Sequence, residues 1–429
     1  MTAPRPALRP AFQAVLVCAV LERVAASAIA VLLGYQVFAV THDVLDLGWL
    51  GLTEALPGLA LVLYGGHVAD RFRRKRILIL TSTCFVVLAG LAALASAWSP
   101  GVAPLFGVAF GLGIIRAFQD PAAAALEAQV VLAADVVRGL ALLTTASRLA
   151  GVVGPTLGGI AWGMLGPAGT YVAAAALFAG SLAALLFVPD ASQPPVDQDG
   201  RNAGTRIVEG VRFVWRDQVL LGSMALDLFA VFFGGATALL PAMATNVLHV
   251  GATEFGLLRG AMAAGALTAV AMAVRVVPER QAGRFLLSVI GGFGVSIVVF
   301  GLSRVFWLSL AALFVAGMCD GLSVVIRRAI LRLGSPEEMR GRVAAVKSVF
   351  VGSSNELGAF ESGMVASLMG VTAAVWSGGV VTLLVVGITA VLAPRLRRLD
   401  LRAMTAKDST PLDSAQFDRD VVEQARGQA

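Results

Sequence analysis

The 429-residue chain is 58% hydrophobic and only 14% charged, with a mean hydropathy of +0.83. Soluble domains are typically about one quarter charged, so this chain has too little polar surface for a water-soluble globule, and a bilayer is the solvent that fits. The net charge of +6 does not indicate nucleic acid, because the basic residues are strung between apolar runs instead of gathered on one soluble surface.

The chain opens MTAPRPALRP and enters an apolar run with Glu22 and Arg23 midway. That run is longer than a signal-peptide core, and no small-residue cleavage site follows it cleanly, so it is read as a retained first helix. Backbone groups in hydrocarbon must be satisfied internally, and continuous runs without period-two alternation point to helices, not a barrel. The expected spans are residues 12–33, 47–67, 77–97, 102–124, 140–163 and 168–188, then 219–243, 252–274, 285–303, 306–326, 343–366 and 371–393. The fold class is therefore an all-α integral membrane protein of twelve transmembrane helices.

Between the sixth and seventh spans, residues 189–217 begin as a Pro/Asp/Gly linker. They end with Ile207, Val211, Val214 and Trp215 on one helical face and Arg206, Glu209, Arg212 and Arg216 elsewhere, the pattern of an amphipathic surface helix. The expected organisation is a six-helix bundle over 1–188, a cytoplasmic linker over 189–217, a second six-helix bundle over 218–394 and a cytoplasmic tail over 395–429.

With the N-terminus inside, 27 of the 33 basic residues fall in cytoplasmic segments, Arg327, Arg328 and Arg332 among them, and Arg304 alone falls outside. Arg23, Arg116, Arg148, Arg259 and Lys347 fall within spans. Such a bias orients the chain with both ends cytoplasmic and supports the span count, since one missed span would scramble it. A faint repeat, Asp135-Val-Val-Arg138-Gly139 against Glu337-Glu-Met-Arg340-Gly341, occupies matching loops of the two halves, as in parallel-repeat transporters. Cys18, Cys84 and Cys319 lie in apolar stretches, and His42, His67 and His249 are scattered. Neither a disulfide nor a metal site is expected.

The loop GGHVADRFRRKRIL, Gly65 to Leu78, places one acid ahead of a basic cluster. It can act as a topogenic charge patch. It also resembles the hallmark loop of the major facilitator superfamily, Gly-x-Leu-Ala-Asp-Arg-x-Gly-Arg-Arg. Gly66, Asp70, Arg71 and Arg74 match, while Val68 replaces the leucine and Arg73 the second glycine. The resemblance implies a cytoplasmic gate, with Asp70 at the positive N-terminus of the eleventh helix near Val343 and Arg74 paired with Glu127.

The fifth span carries Arg148-Leu-Ala-Gly151-Val-Val-Gly154-Pro155-Thr-Leu-Gly158-Gly159. Four-residue glycine spacing makes a close packing face, and Pro155 would kink the helix by freeing the Gly151 carbonyl. The same residues resemble the Gly-Pro-x-x-Gly-Gly signature of antiporting exporters, and both readings can hold together. In the fourth span, Arg116 and Asp120 lie four apart as an internal ion pair, or, by resemblance to an Arg-x-x-Gln-Gly element, Arg116 tunes the proton affinity of a nearby acid.

Charges at bilayer depth are expensive and tend to be functional. By resemblance, helices 1, 4, 7 and 10 line a central cavity, which would receive Glu22, Arg116, Asp227 and Asp320. Asp227 has no basic residue within four positions, which makes it the expected proton-binding acid, with a cross-helix pair to Arg23 or Arg148 as the other reading. Segments such as LGYQVFAVTHDVLDLGWLGL and SPEEMRGRVAAVKSVFVGSSNELGAFESG resemble the branch containing enterobactin-type siderophore exporters and transmembrane secretion effectors.

The expected function is secondary export of a small organic molecule against protons, with no cofactor beyond the proton gradient. The expected setting is a monomer in a bacterial inner membrane, with the bilayer and a small-molecule substrate as partners. The chain shows no nucleophile–base set, phosphate loop or metal set, so no enzyme is expected. Proton-coupled uptake, or a non-transporting receptor or scaffold, are the alternatives.

Overall fold

The computed structural model describes residues 10–98, 101–130, 136–189, 211–215, 217–233, 237–278 and 280–402, and among them there is helix and no strand. The first four helices are α1 (Pro10–Thr41), α2 (Val44–Arg71), α3 (Arg74–Trp98) and α4 (Val102–Val130). Val136–Leu186 is one helical stretch broken at Gly166, whose φ of 69° only glycine adopts without strain. Its arms are α5 (136–165) and α6 (167–186). The backbone keeps helical φ/ψ through Pro155, and the stretch breaks at Gly166, between the spans expected at 140–163 and 168–188.

The second half holds α7 (Gln218–Phe233), α8 (Ala252–Val276), α9 (Ala282–Leu302), α10 (Phe306–Gly334), α11 (Glu337–Met369) and α12 (Val371–Leu392). Gly370, at φ 87°, makes the tight turn between α11 and α12. Nine of the described helical segments are long and apolar enough to cross a bilayer. One of them, Leu142–Leu186, has 45 residues, enough for two crossings about the break. The shorter apolar helices Gln218–Ala230 and Leu357–Met369 bring the set to the twelve expected.

Several helices outrun their apolar spans. Arg327, Arg328 and Arg332, assigned from sequence to a cytoplasmic segment, lie within α10. The seventh span is interrupted: α7 is described to Phe233, residues 237–239 turn, and helix resumes at Leu240–Ala242 before a π-helical turn, Met243–Val247. Pro241 sits in the first turn of the resumed helix, where a missing N–H leaves no bond unmade. Of the expected surface helix, residues 211–215 are described as helical; Trp215 is exposed, but Val214 is buried against Leu220 and Leu396 of the second half instead of facing lipid. Residues 190–210 lie outside the described residues.

The two halves repeat one packing scheme. In the first, α2 and α3 pack on α4, α3 on α6, and α1 on α5 and α6; in the second, α8 and α9 pack on α10, α9 on α12, and α7 on α11 and α12. The halves meet through α5 on α8 and α2 on α11. Exchanging 2 with 8 and 5 with 11 maps one seam onto the other, the mark of a two-fold pseudo-repeat.

A cavity between the halves and its gates

The turns α1–α2, α7–α8 and α11–α12 define the far end of the bundle, and the first and last described helices begin and finish at the near end. At the far end an apolar cluster straddles the halves: Val31 and Tyr35 of α1 join Met243, Phe255 of α8, Ala366 of α11 and Val375 of α12. Phe38, Leu47 and Ala242 form a second straddling cluster. Tyr35 stacks on Phe255 at 4.9 Å and meets Trp162 edge-on at 5.5 Å. Among the described residues, near-end apolar clusters stay within one half: Val15, Ile77, Leu126 and Leu185 in the first, Leu220, Leu286, Ile326 and Leu396 in the second.

Glycines set the far-end seams. A Cβ on Gly159 would lie 2.5 Å from the Ala252 carbonyl and 2.9 Å from Gly256 Cα, and one on Gly363 would lie 3.1 Å from the Val44 carbonyl and 3.2 Å from Gly48 Cα. The two seams therefore use the same device: glycine against glycine, with the carbonyl four residues earlier alongside. Within the expected helix-5 motif, Gly154 packs on Ser27 and Val24 of α1 and Gly158 on Ala28 and Leu32, so the motif's packing role is directly visible. Gly151 has open space around it, and Ser27 donates to the Ala150 carbonyl at 3.1 Å.

Beneath the seal lies a cavity of about 470 Å³ bounded by α1, α2, α4, the α7 break, α8, α10 and α11. Arg116 and Asp320 line it; Glu22 and Asp227 do not. Arg116 pairs with Glu54 of α2, not with Asp120 one turn along its own helix. The physical reason is close approach: Gly113 of α4 lies against the Glu54 carbonyl and Gly65 of α2 against the Ala117 carbonyl, which brings the two helices' side chains together. Asp120, on an exposed position, stays within electrostatic reach of Arg116 and Arg23. Glu54 was missed in the sequence, although a lone acid in an apolar span was a signal available there.

Glu22 is held inside the first half. It accepts from Gln119 Nε2 at 2.5 Å, and Gln119 in turn accepts from Thr81. Beside it, Arg23 pairs with Glu127 at 2.7 Å. Glu127 is thus taken, and Arg74, expected to hold it, donates to the Ala125 carbonyl at 3.3 Å. Lys75 donates to the Val188 carbonyl at 2.5 Å and the Leu186 carbonyl at 3.3 Å, so part of the basic loop caps the end of α6, where carbonyls lack helical donors. Arg71 is exposed and Gly66 has open space around it. The Asp70 side chain and its expected contact with α11 lie outside the described residues, as do the side chains of Arg138, Glu337 and Arg340.

Asp227 is 7% exposed and contacts the guanidinium of Arg327 on α10. This is the cross-helix pair left open by the sequence, with a different cation from the two considered. Arg327 also donates to Ser323 Oγ at 3.1 Å and stands 3.8 Å from Asp320, so one cation lies between a buried acid and a cavity acid. Asp320 in addition lies within electrostatic reach of Arg148 on α5, across the interface between the halves.

The pattern of the transmembrane secretion effector family matches residues 2–428. An enterobactin exporter of Shigella boydii serotype 4 is 27% identical over 409 residues, covering 93% of this chain and 96% of that protein. The enterobactin exporter of Citrobacter koseri is 28% identical over 342 residues, 78% of this chain and 80% of its own. Among solved structures, a POT family transporter in complex with 5-aminolevulinic acid superposes with a TM-score of 0.72 at 12% identity, covering 90% of this chain and 96% of that one. An inward-facing, unoccupied bacterial homologue of the lysosomal transporter Spinster does so at 0.68 and 14% identity, over 95% and 100%. With its twelve-helix pseudo-repeat, its cavity between halves and a family match along nearly its whole length, the chain belongs to the transmembrane secretion effector family of major facilitator superfamily transporters.

Proposed function

We propose that the protein exports a small organic molecule by alternating access, driven by exchange with protons. The observation that carries this reading is the asymmetry of the two ends: among the described residues, apolar clusters bridge the halves at the far end and not at the near end, above a cavity of about 470 Å³. With the termini cytoplasmic, as the basic residues favour, the seal faces outward and the cavity is loaded from the cytoplasm. That is the loading state of an exporter. The enterobactin exporters among the relatives favour a siderophore-like cargo.

The coupling group in this reading is the set Asp227–Arg327–Asp320. A proton arriving from outside neutralises the cavity acid Asp320, leaving Arg327 to Asp227 alone. Inside, the approach of Arg148 favours the carboxylate again, and the proton leaves to the cytoplasm. Inverted vesicles containing the protein, with a pH-sensitive dye in the lumen, test it. Adding cargo to energised vesicles should drive proton efflux with wild type, and Asp320→Asn should lose that flux while cargo counterflow persists. Unchanged cargo-driven flux in Asp320→Asn would remove Asp320 from the coupling, and cargo movement in the opposite direction would favour uptake.

A further inference from the structure

The cavity holds a cation that the coupling set does not use. Arg259 lies on α8 and lines the cavity, half-buried. The other charged residues there are accounted for, Arg116 by Glu54 and Asp320 by Arg327. Among the described residues no carboxylate lies within ion-pair distance of Arg259; its guanidinium reaches only the Thr237 carbonyl, at 3.4 Å, where α7 is broken. A permanently charged group at this depth is expensive unless something completes it.

Its surroundings narrow what that something is. Gly256 and Gly260 clamp α8 on α5, against the Pro155 carbonyl and Thr156. The i, i+4, i+7 spacing, about two turns of helix, puts Phe255, Arg259 and Met262 on a common stripe, and all three line the cavity. Phe255 is buried against Tyr35, so the cavity offers the cation beside the soft apolar side chain of Met262, with the partly exposed ring of Phe293 beyond. A planar guanidinium matches a carboxylate or a pair of vicinal phenolate oxygens by two parallel N–H···O bonds, and the flanking ring suits an aromatic body.

We propose that Arg259 is the anion anchor of the cavity and that the cargo is an aromatic organic anion, its acid group on Arg259 and its ring toward Met262 and Phe293. This rests on the reading that the cavity carries the cargo, but it is tested by binding, without transport. The probes are 1-naphthoate and its neutral isostere 1-naphthamide, titrated calorimetrically into the full-length protein in detergent. Wild type should bind the carboxylate roughly tenfold or more tighter than the amide, the size of a charge-assisted pair in a partly dry site. Arg259→Gln should abolish that preference while keeping amide affinity, and Arg259→Lys should keep part of it because the charge remains but the fork is lost. Equal binding of both probes by wild type overturns the proposal even if no variant folds. A preference that survives Arg259→Gln, or vanishes instead in Arg116→Gln, overturns it too. Failure of cargo export in vesicles alongside a retained carboxylate preference would sink the export reading and leave the anchor standing.

Discussion

The far end of the bundle is closed by shape and the near end is organised by charge. At the far end, glycine meets glycine along both seams and rings fill the space between, so the halves touch through backbone and apolar atoms. Toward the near end the ion pairs Arg23–Glu127 and Arg327–Asp227 each lie within a single half. Contact by shape weakens quickly on separation, because a gap of about 0.5–1 Å already forfeits roughly a quarter to a half of the dispersion attraction. Ion pairs inside one half leave the other half free to move, and a charge beside water can change partners. In the proposed cycle, a seal of the first kind suits the end that must be tight while the cavity loads, and the second suits the end that must open without exposing a dry surface.

The largest expected effect breaks the charged side of this contrast. Arg327→Leu leaves Asp227 buried without its cation, and breaking a buried pair by removing one partner costs about 3–5 kcal/mol. Thermal unfolding in detergent should show a clearly lower midpoint, and the double variant Asp227→Leu/Arg327→Leu should recover most of it. A single variant as stable as wild type would mean that the pair does not hold α7 on α10.

Next in size is the shape side. Gly256→Val would force the α5–α8 seam apart, with overpacking costing about 1–3 kcal/mol against the closed far end. Because the seams are related by the pseudo-two-fold, Gly363→Val should act alike at α2–α11. Both should nearly abolish transport, and a cysteine placed at Val31 should become reactive to an impermeant reagent added at the far side. Wild-type transport in either variant would show that seam to be a bystander.

A smaller effect is expected from Arg116→Gln, which strips the half-buried Glu54 of its partner at the cavity wall. The cost is about 1 kcal/mol, the low end for an acceptor left unsatisfied, and it should appear more in transport rate than in unfolding temperature. Smallest is the basic loop. Arg74→Ala removes a partly exposed bond to the Ala125 carbonyl, in the range of about 0.2–1 kcal/mol. Expression and insertion should stay near wild type, with transport reduced modestly; a fully wild-type rate would leave the loop a topogenic patch.

Legibility in the sequence followed range. Twelve apolar runs were visible because bilayer thickness dictates span length locally, and the glycines of α5 announced a close-packed face through spacing alone. Partners of charges were not visible. Arg116 turned from Asp120 to Glu54, Glu127 from Arg74 to Arg23, and Asp227 found Arg327, exactly one hundred residues away in sequence. Arg327 was hidden for a further reason. Its neighbours Arg328 and Arg332 look like a cytoplasmic charge cluster, whereas α10 continues through them and turns Arg327 inward and Arg328 outward.

The sequence by itself determined the solvent and the helices, since both depend on hydrophobicity and spacing within about twenty residues, whereas the pseudo-repeat was only faint there and became plain in the packing. Only the tertiary structure decided which charges face the cavity and which face one another. A helix fixes the direction of each side chain, but which neighbour stands there depends on the approach and rotation of a second helix. Those are set by glycine contacts between segments far apart in the chain, such as Gly113 on α2 and Gly159 on α8.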